Sequence, residues 1–274
     1  MKASGSLFLG AALAVAIGGL GVHLPGCVPA GNAAPYDAGV SSSKPAATAT
    51  FVASQNIMTK PFEDDFSRSG APAASASAAP EGDAAAAPAP SDLGPDWTQA
   101  GTTVWHIRNG QLCGDGARNH GVWLNRVLPV NARIEFDATS DTTDGDLKAE
   151  VWGDGHSAAT AISYTNATSY LTILGGWKNK FHVLARINEH GKDRKEIAVD
   201  PNSDDPRERP VVVGQTYHFK IERTDGKTVK WSVDGLEFLT YPDDQPLAGQ
   251  GHDHFGFNDW DAKVCFDNVR VTPL

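Results

Sequence analysis

The sequence predicts an all-β domain, two antiparallel sheets packed as a sandwich or jelly roll, on three observations. Apolar residues recur with a period of two from Trp97 onward, Gly-containing turn dipeptides separate the alternating runs, and no segment shows an amphipathic helical stripe with caps. The chain has 274 residues, but all seven tryptophans lie between Trp97 and Trp260, whereas residues 71–90 contain eleven Ala and four Pro. The folded part is therefore about 180 to 210 residues, within the single-domain range. The formal net charge is -10, and from Asp92 onward 27 acidic residues face 19 basic ones. Such a surface repels phosphate, which excludes a nucleic-acid binder that works by neutralising the backbone.

Residues 1–26 carry one early cation, Lys2, and then an apolar run from Leu7 to Leu20. That run is too short for a permanent span of a ~30 Å hydrocarbon core and suits an export signal. It ends in Leu24-Pro25-Gly26-Cys27, which resembles the bacterial lipobox and implies diacylation of Cys27; Pro25 departs from the usual small residue, and cleavage after Ala33 is the alternative. Val28 takes the place of the Asp that retains some lipoproteins in the inner membrane, which points to an outer-membrane or surface location. Residues 27–60 are rich in Ala, Gly, Ser, Thr and Pro and read as a flexible tether, since they offer too little apolar surface to offset ordering entropy. The domain is expected over 61–274, with a short first strand at Phe62-Glu63-Asp64-Asp65-Phe66 and a disordered Ala/Pro-rich insertion at 70–91.

The alternating runs are the predicted strands. Ala132, Ile134, Phe136 and Ala138 alternate with polar residues, as do Leu147, Ala149 and Val151; Phe181, Val183, Ala185 and Ile187; Tyr217, Phe219 and Ile221; and Val229, Trp231 and Val233. Asp144-Gly145, Gly175-Gly176, Asp225-Gly226 and Asp234-Gly235 are among the turns between them. Cys113 and Cys265 fall in an early and the last strand, on the side opposite the apolar residues, where two neighbouring strands would let them meet. A disulfide there would stabilise the fold by roughly 2 to 5 kcal/mol; two unpaired thiols are the other reading.

Asp64-Asp65-Phe66-Ser67-Arg68, Leu93-Gly94-Pro95-Asp96-Trp97, Trp105-His106-Ile107-Arg108-Asn109-Gly110-Gln111-Leu112, Trp231-Ser232-Val233-Asp234-Gly235 and the closing Phe266-Asp267-Asn268-Val269-Arg270-Val271 occur in this order. They resemble the strands of bacterial laminin-G-like jelly rolls of the concanavalin A-like lectin/glucanase superfamily. In similar modules the first two pieces adjoin, which is why the Ala/Pro segment reads as an insertion. The resemblance implies a jelly roll and leaves function open among lectins, glucanases and non-catalytic surface domains. It also implies a structural Ca2+ near Asp267, with Asp65 or Asp64 as a further oxygen ligand; Asp267-Asn268 also reads as a bulge where alternation slips.

The candidate ligand site follows from the outward faces. Arg133, Glu135 and Asp137 on one strand, Lys148, Glu150 and Trp152 on another, and His182 and Arg186 on a third would line a groove if the strands were neighbours in the concave sheet. Sugars suit such a lining, because hydroxyls pair with charged and amide groups while C–H faces pack on an indole. Asp154 and His156 extend this into a rim beside Trp152, and Trp177 and Asn179 stand in a turn after Gly175-Gly176 that would display the ring. A plain solvated sheet face is the competing reading. Superfamily glucanases carry a Glu-x-Asp-x-(x)-Glu strand, whereas Glu135-Phe136-Asp137-Ala138-Thr139-Ser140 ends in Ser140 where a second Glu would stand, so no catalytic residue is assigned. A Glu135 and Glu150 pair is the residual possibility, opposed by Arg133 and Lys148, which would keep both ionised. His252-Asp253-His254 offers two imidazoles, too few for a closed metal site. The expectation is an exported, lipid-anchored, non-catalytic carbohydrate-binding domain needing no cofactor; a glycoside hydrolase-like enzyme and an envelope interaction module are the alternatives.

Overall fold

The structure is a computed structural model that describes residues 52–68 and 92–274. The predicted signal peptide, Cys27, residues 28–51 of the tether and the Ala/Pro-rich segment lie outside the described residues. Among those described, the pairing within both sheets is antiparallel throughout.

The first sheet is built on β6 (Ala132–Ser140), whose Ala132, Ile134, Phe136 and Ala138 are buried while Arg133, Glu135 and Asp137 are half-buried on the other side. It pairs with β11 (Thr216–Arg223) and β15 (Lys263–Pro273). β12 (Thr228–Val233) and β13 (Leu236–Pro242) continue beyond β11, while β4 (Gln111–Asp115) and β3 (His106–Arg108) continue beyond β15, which also pairs with β1 (Phe62–Asp64). The second sheet runs in the order β10 (Lys195–Ala198), β9 (Phe181–Arg186), β8 (Tyr170–Gly175), β7 (Leu147–Gly153), β14 (His254–Asn258), β5 (Val122–Leu124) and β2 (Trp97–Gln99).

The core lies between the sheets and is dominated by aromatic rings, each burying enough apolar area to contribute about 1.5 to 3 kcal/mol. Phe257 of β14 stacks on Phe266 of β15 with centroids 3.9 Å apart, and Phe136 stacks on Phe219 at 4.8 Å. The two pieces that flank the undescribed Ala/Pro segment pack together: Asp64 accepts a hydrogen bond from the Trp97 indole at 2.9 Å, and Arg68 donates to the Leu93 carbonyl at 2.7 Å. Residues 52–58 also lie against the sandwich, with the Met58 N–H donating to the Val127 carbonyl at 2.9 Å.

Cys113 and Cys265 are register partners on β4 and β15 and form a disulfide, closing a loop with a sequence separation of 152. The slip in alternation on β15 is a bulge between Asp267 and Arg270, with Asn268 at φ 51°. Two departures from the predicted pattern matter for the site. β7 carries a bulge where Phe255 pairs with Val151 but His254 pairs with Gly153, and the extra residue, Trp152, sits at φ 53° with its side chain turned into the core. On β9 the alternation runs in the opposite sense to that expected: Phe181, Val183 and Ala185 face a second apolar cluster with Tyr164, Leu171 and Ile173 on the outer side of the sheet.

Candidate functional site

That second cluster exists because the β7–β8 loop folds back over the outer side of the second sheet, so Lys148 and Glu150, outward on β7, are buried beneath it. Beside the covered area a cavity of about 400 Å3 remains, inside the range of small-ligand pockets. Its residues come from the β6–β7 turn (Asp144, Asp146), the β7–β8 loop (Ile162, Ser163), the β8–β9 turn (Trp177), the segment after β9 (Glu189, His190) and the β14–β15 loop (Trp260, Asp261). Lys148 and Ile173 are contributed by the sheet itself.

The β8–β9 turn is held in an uncommon conformation. Trp177, Lys178 and Asn179 all have left-handed backbone (φ 53°, 60° and 57°), which costs L-residues roughly 1 to 2 kcal/mol each. Asn179 holds the turn: its amide donates to the carbonyls of Thr143 at 2.7 Å and Val211 at 3.1 Å, and its carbonyl accepts from the Val211 N–H at 2.8 Å. Two glycines let the β6–β7 turn come close to it, since a Cβ on Gly145 would lie 2.6 Å from the Gly175 carbonyl oxygen. The result is the display of Trp177 at the cavity. The Arg194 guanidinium lies 4.8 Å over its ring, and the His190 ring meets it edge-on at 5.4 Å. Trp260 is capped in the same manner by Arg118 at 4.8 Å, which also pairs with Asp261 at 2.8 Å.

Buried charges lie beneath the two indoles. Lys148 Nζ donates to Asn119 at 2.7 Å and to Glu189 at 3.1 Å, and stands 3.9 Å from Asp146. Burial opposes its charge, yet Asp146 and Glu189 outweigh that and hold the ammonium above its ordinary value. Burial raises Asp146, with Lys148 and the Trp260 N–H pulling the other way. Asp259 is pushed to about 7 by burial and by the nearby Asp146 charge. Glu150 is likewise pushed up to about 7 by burial, although it accepts hydrogen bonds from Ser169 (2.6 Å), Asn258 (2.7 Å) and Tyr164 (3.1 Å).

Of the residues singled out in the sequence, Lys148 and Trp177 meet at this cavity, and Asn179 holds the turn that displays the indole. Glu150 lies beneath the covering loop, in the hydrogen bonds just described. Arg133, Glu135 and Asp137 belong to the other sheet, where Arg133 pairs with Glu222 and Asp137 with His218, so they form no groove with Lys148 and Glu150. Glu135 and Glu150 therefore make no carboxylate pair. Trp152 is 0 % exposed, donates to the Pro129 carbonyl at 3.1 Å and carries the Arg223 guanidinium 3.9 Å from its ring, so it is core and not rim. His182 and Arg186 point between the sheets: His182 accepts from the Gly175 N–H at 2.9 Å, with burial lowering it to about 4, and Arg186 pairs with Asp243 at 2.7 Å. Asp154 closes its own loop by accepting from the His156 and Ser157 N–H groups, leaving the His156 side chain in solvent. Asp65 and Asp267 lie on the first sheet's side, where burial together with the Asp137 and Asp65 charges raises Asp267. Among the described residues no group of three or more His, Cys, Asp or Glu side chains is placed to hold a metal ion.

Asp146, Glu189, Asp259 and Asn119 were not singled out. Each adjoins a turn or a loop, Asp144-Gly145-Asp146 and Glu189-His190-Gly191 among them, and turn chemistry alone accounts for such residues.

No known family profile matches the sequence, and no curated protein does. Solved structures do. A carbohydrate binding module, CBM66, from Bacillus subtilis is 20% identical with a TM-score of 0.47, over 65% of this chain and 95% of that one. The Bacillus licheniformis beta-glucanase is 9% identical with a TM-score of 0.49, over 78% and 99%. A structure from work on endo-acting O-glycanases of the human gut microbiota is 15% identical with a TM-score of 0.45, over 78% and 98%. The two-sheet antiparallel sandwich seen here is the architecture that the sequence resemblance implies.

Proposed function

We propose that this protein is an exported, lipid-anchored, non-catalytic carbohydrate-binding domain whose ligand site is the cavity between Trp177 and Trp260. The observation that carries the reading is the combination of two partly exposed indoles with the buried hydrogen-bonding groups of Asp146, Lys148 and Glu189 in one cavity of about 400 Å3. Pyranose rings present apolar C–H faces to indoles and hydroxyls to carboxylates and ammonium, and each such polar contact adds about 0.5 to 1.5 kcal/mol net. Binding is favoured over hydrolysis because Ser140 stands where the second carboxylate of the Glu135-x-Asp137 strand would be, and Glu135 and Glu150 lie in different sheets, so neither supplies the carboxylate pair that glycoside hydrolysis requires.

The test is a glycan and polysaccharide array probed with the protein and with Trp177→Ala. Selective binding by the parent, reduced tenfold or more in the variant at unchanged melting temperature, is the expected result. Binding unchanged in Trp177→Ala would place the ligand elsewhere and remove the support for this site. Release of reducing sugar from a bound glycan would replace the binding reading by the hydrolase one.

Two further parts of the proposal lie away from the cavity. Diacylation of Cys27 in the bacterial envelope is expected to be seen as a lipid-mass increment lost in Cys27→Ser. A structural Ca2+, if held, would take the carboxylates of Asp65 and Asp267 with backbone oxygens, the hard ligation that calcium prefers. Millimolar calcium is then expected to raise the melting temperature of the parent and not that of Asp267→Asn; equal response in both would exclude this site.

A further inference from the structure

The first described residues and the loop that covers the second sheet meet at one buried carboxylate. Asp253, just before β14, is 5 % exposed, and its backbone is fixed on both sides: its N–H donates to the Gly153 carbonyl at 2.8 Å, and its carbonyl accepts from the Leu128 N–H at 2.7 Å. One of its carboxylate oxygens lies 2.6 Å from His254 Nδ1, and the other accepts from the Ser54 hydroxyl. Ser54 belongs to residues 52–58, which run along the sandwich. There the Val52 carbonyl accepts from the Gln250 N–H at 2.9 Å, and Ile57 bridges to Val127.

The neighbours of Asp253 pin the β7–β8 loop at both ends. His252 Nδ1 donates to the Thr168 carbonyl at 2.6 Å, near the end of the loop. Near its start the His254 ring packs on Gly155 so closely that a Cβ there would lie 2.8 Å from the ring's Cγ. Between these pins the loop buries Lys148 and Glu150 and brings Ile162 and Ser163 to the cavity. His252, Asp253 and His254 therefore stand between the arm and the loop. Departure of the arm strips a buried carboxylate oxygen of its donor. Water must then enter, or the carboxylate must turn, and either disturbs the His254 ring that rests on Gly155.

We propose that residues 52–58 are a strap that, seated on Asp253, holds the β7–β8 loop down over the second sheet and, unseated, lets it lift away from the cavity. The coupling is reciprocal: a ligand held against Ile162 and Ser163 tightens the seat of the strap, and a pull on the chain preceding Val52, the expected tether, loosens the loop. The effect on sugar binding rests on the function proposed above, whereas the strap and its test do not involve a ligand.

Native-state amide hydrogen exchange would be followed in the full chain, in Ser54→Ala and in Ser54→Thr. The reporters are the amides of Asp154, Ala159 and Tyr164, which donate to Thr168, Asn119 and Glu189 respectively. In Ser54→Ala they are expected to exchange about tenfold faster than in the parent, with the amides of β6 unchanged, and Ser54→Thr, which keeps the hydroxyl, is expected to exchange at parent rates. Parent rates in Ser54→Ala would overturn the inference. So would an equal acceleration in β6, which marks a general loss of stability, or a Ser54→Thr protein that exchanges as fast as Ser54→Ala.

Discussion

Glu150→Gln isolates the best-defined buried charge in the molecule. Glu150 is fully buried, and its carboxyl is raised from 4.5 to about 7 by that burial. A carboxyl whose pKa is higher folded than unfolded binds its proton more tightly in the native state. Its contribution to stability is therefore complete below pH 4.5 and is lost progressively as the pH rises to about 7, beyond which it is constant. A shift of this size corresponds to about 3 kcal/mol. Gln does not titrate, and Asp259, which titrates in the same range, is present in both proteins and cancels in their difference. The substitution also has a pH-independent cost of about 1 to 2 kcal/mol, because the Gln amide meets the Asn258 amide where a carboxylate oxygen accepted its hydrogen bond. The measurement is urea unfolding of both proteins at half-unit steps from pH 4.5 to 8. Parent stability minus variant stability should fall by about 3 kcal/mol between pH 4.5 and 7 and then level off. A difference that stays flat within about 1 kcal/mol, or that rises with pH, would refute the reasoning. It would mean that the three donors to Glu150 keep it ionised throughout.

The remaining predictions concern packing and the covalent link. Trp152→Ala should destabilise the fold by about 3 to 5 kcal/mol in denaturant melts, yet leave affinity for any ligand of the Trp177 cavity unchanged at temperatures where it is folded. Reduction of binding in that variant without loss of stability would return Trp152 to the binding surface. Replacing Cys113 and Cys265 together by Ser should lower stability by roughly 2 to 5 kcal/mol, read as a fall in the urea midpoint that reducing agent reproduces in the parent. A variant as stable as the oxidised parent would contradict the role given to the disulfide.

The first sheet was legible in the sequence where its strands follow one rule. β6, β11 and β12 each bury one face and wet the other, so period-two alternation gives the direction of Phe136, Phe219 and Trp231 correctly. The same alternation put Cys113 and Cys265 on one face, and the β4–β15 register makes them partners. The second sheet breaks the rule twice. At β9 both faces are covered, so Val183 and Ala185 are apolar toward an outer cluster while Leu184 faces the core, and a pattern with two buried faces has no readable sense. At Trp152 one extra residue with positive φ reverses the side chain, and no composition signal marks such a bulge at a tryptophan. Of the site, Trp177 and Lys148 were found through its turn and its strand. Asp146, Glu189 and Asp259 were not, because they come together only through contacts between loops distant in sequence.

The position of β15 has a consequence for how the chain reaches this structure. Residues 263–273 form the strand that joins β6 to β4 and β1 in the middle of the first sheet. Until that stretch leaves the ribosome, β4 and β6 have unpaired backbone edges facing each other across an empty slot, and Phe257 lacks the ring it stacks on. Pairings of such long sequence separation form slowly, and bare strand edges are templates for other chains. Newly made protein should therefore depend on a holdase during that interval, and shortening the chain by the last strand should produce aggregation in place of a smaller folded domain.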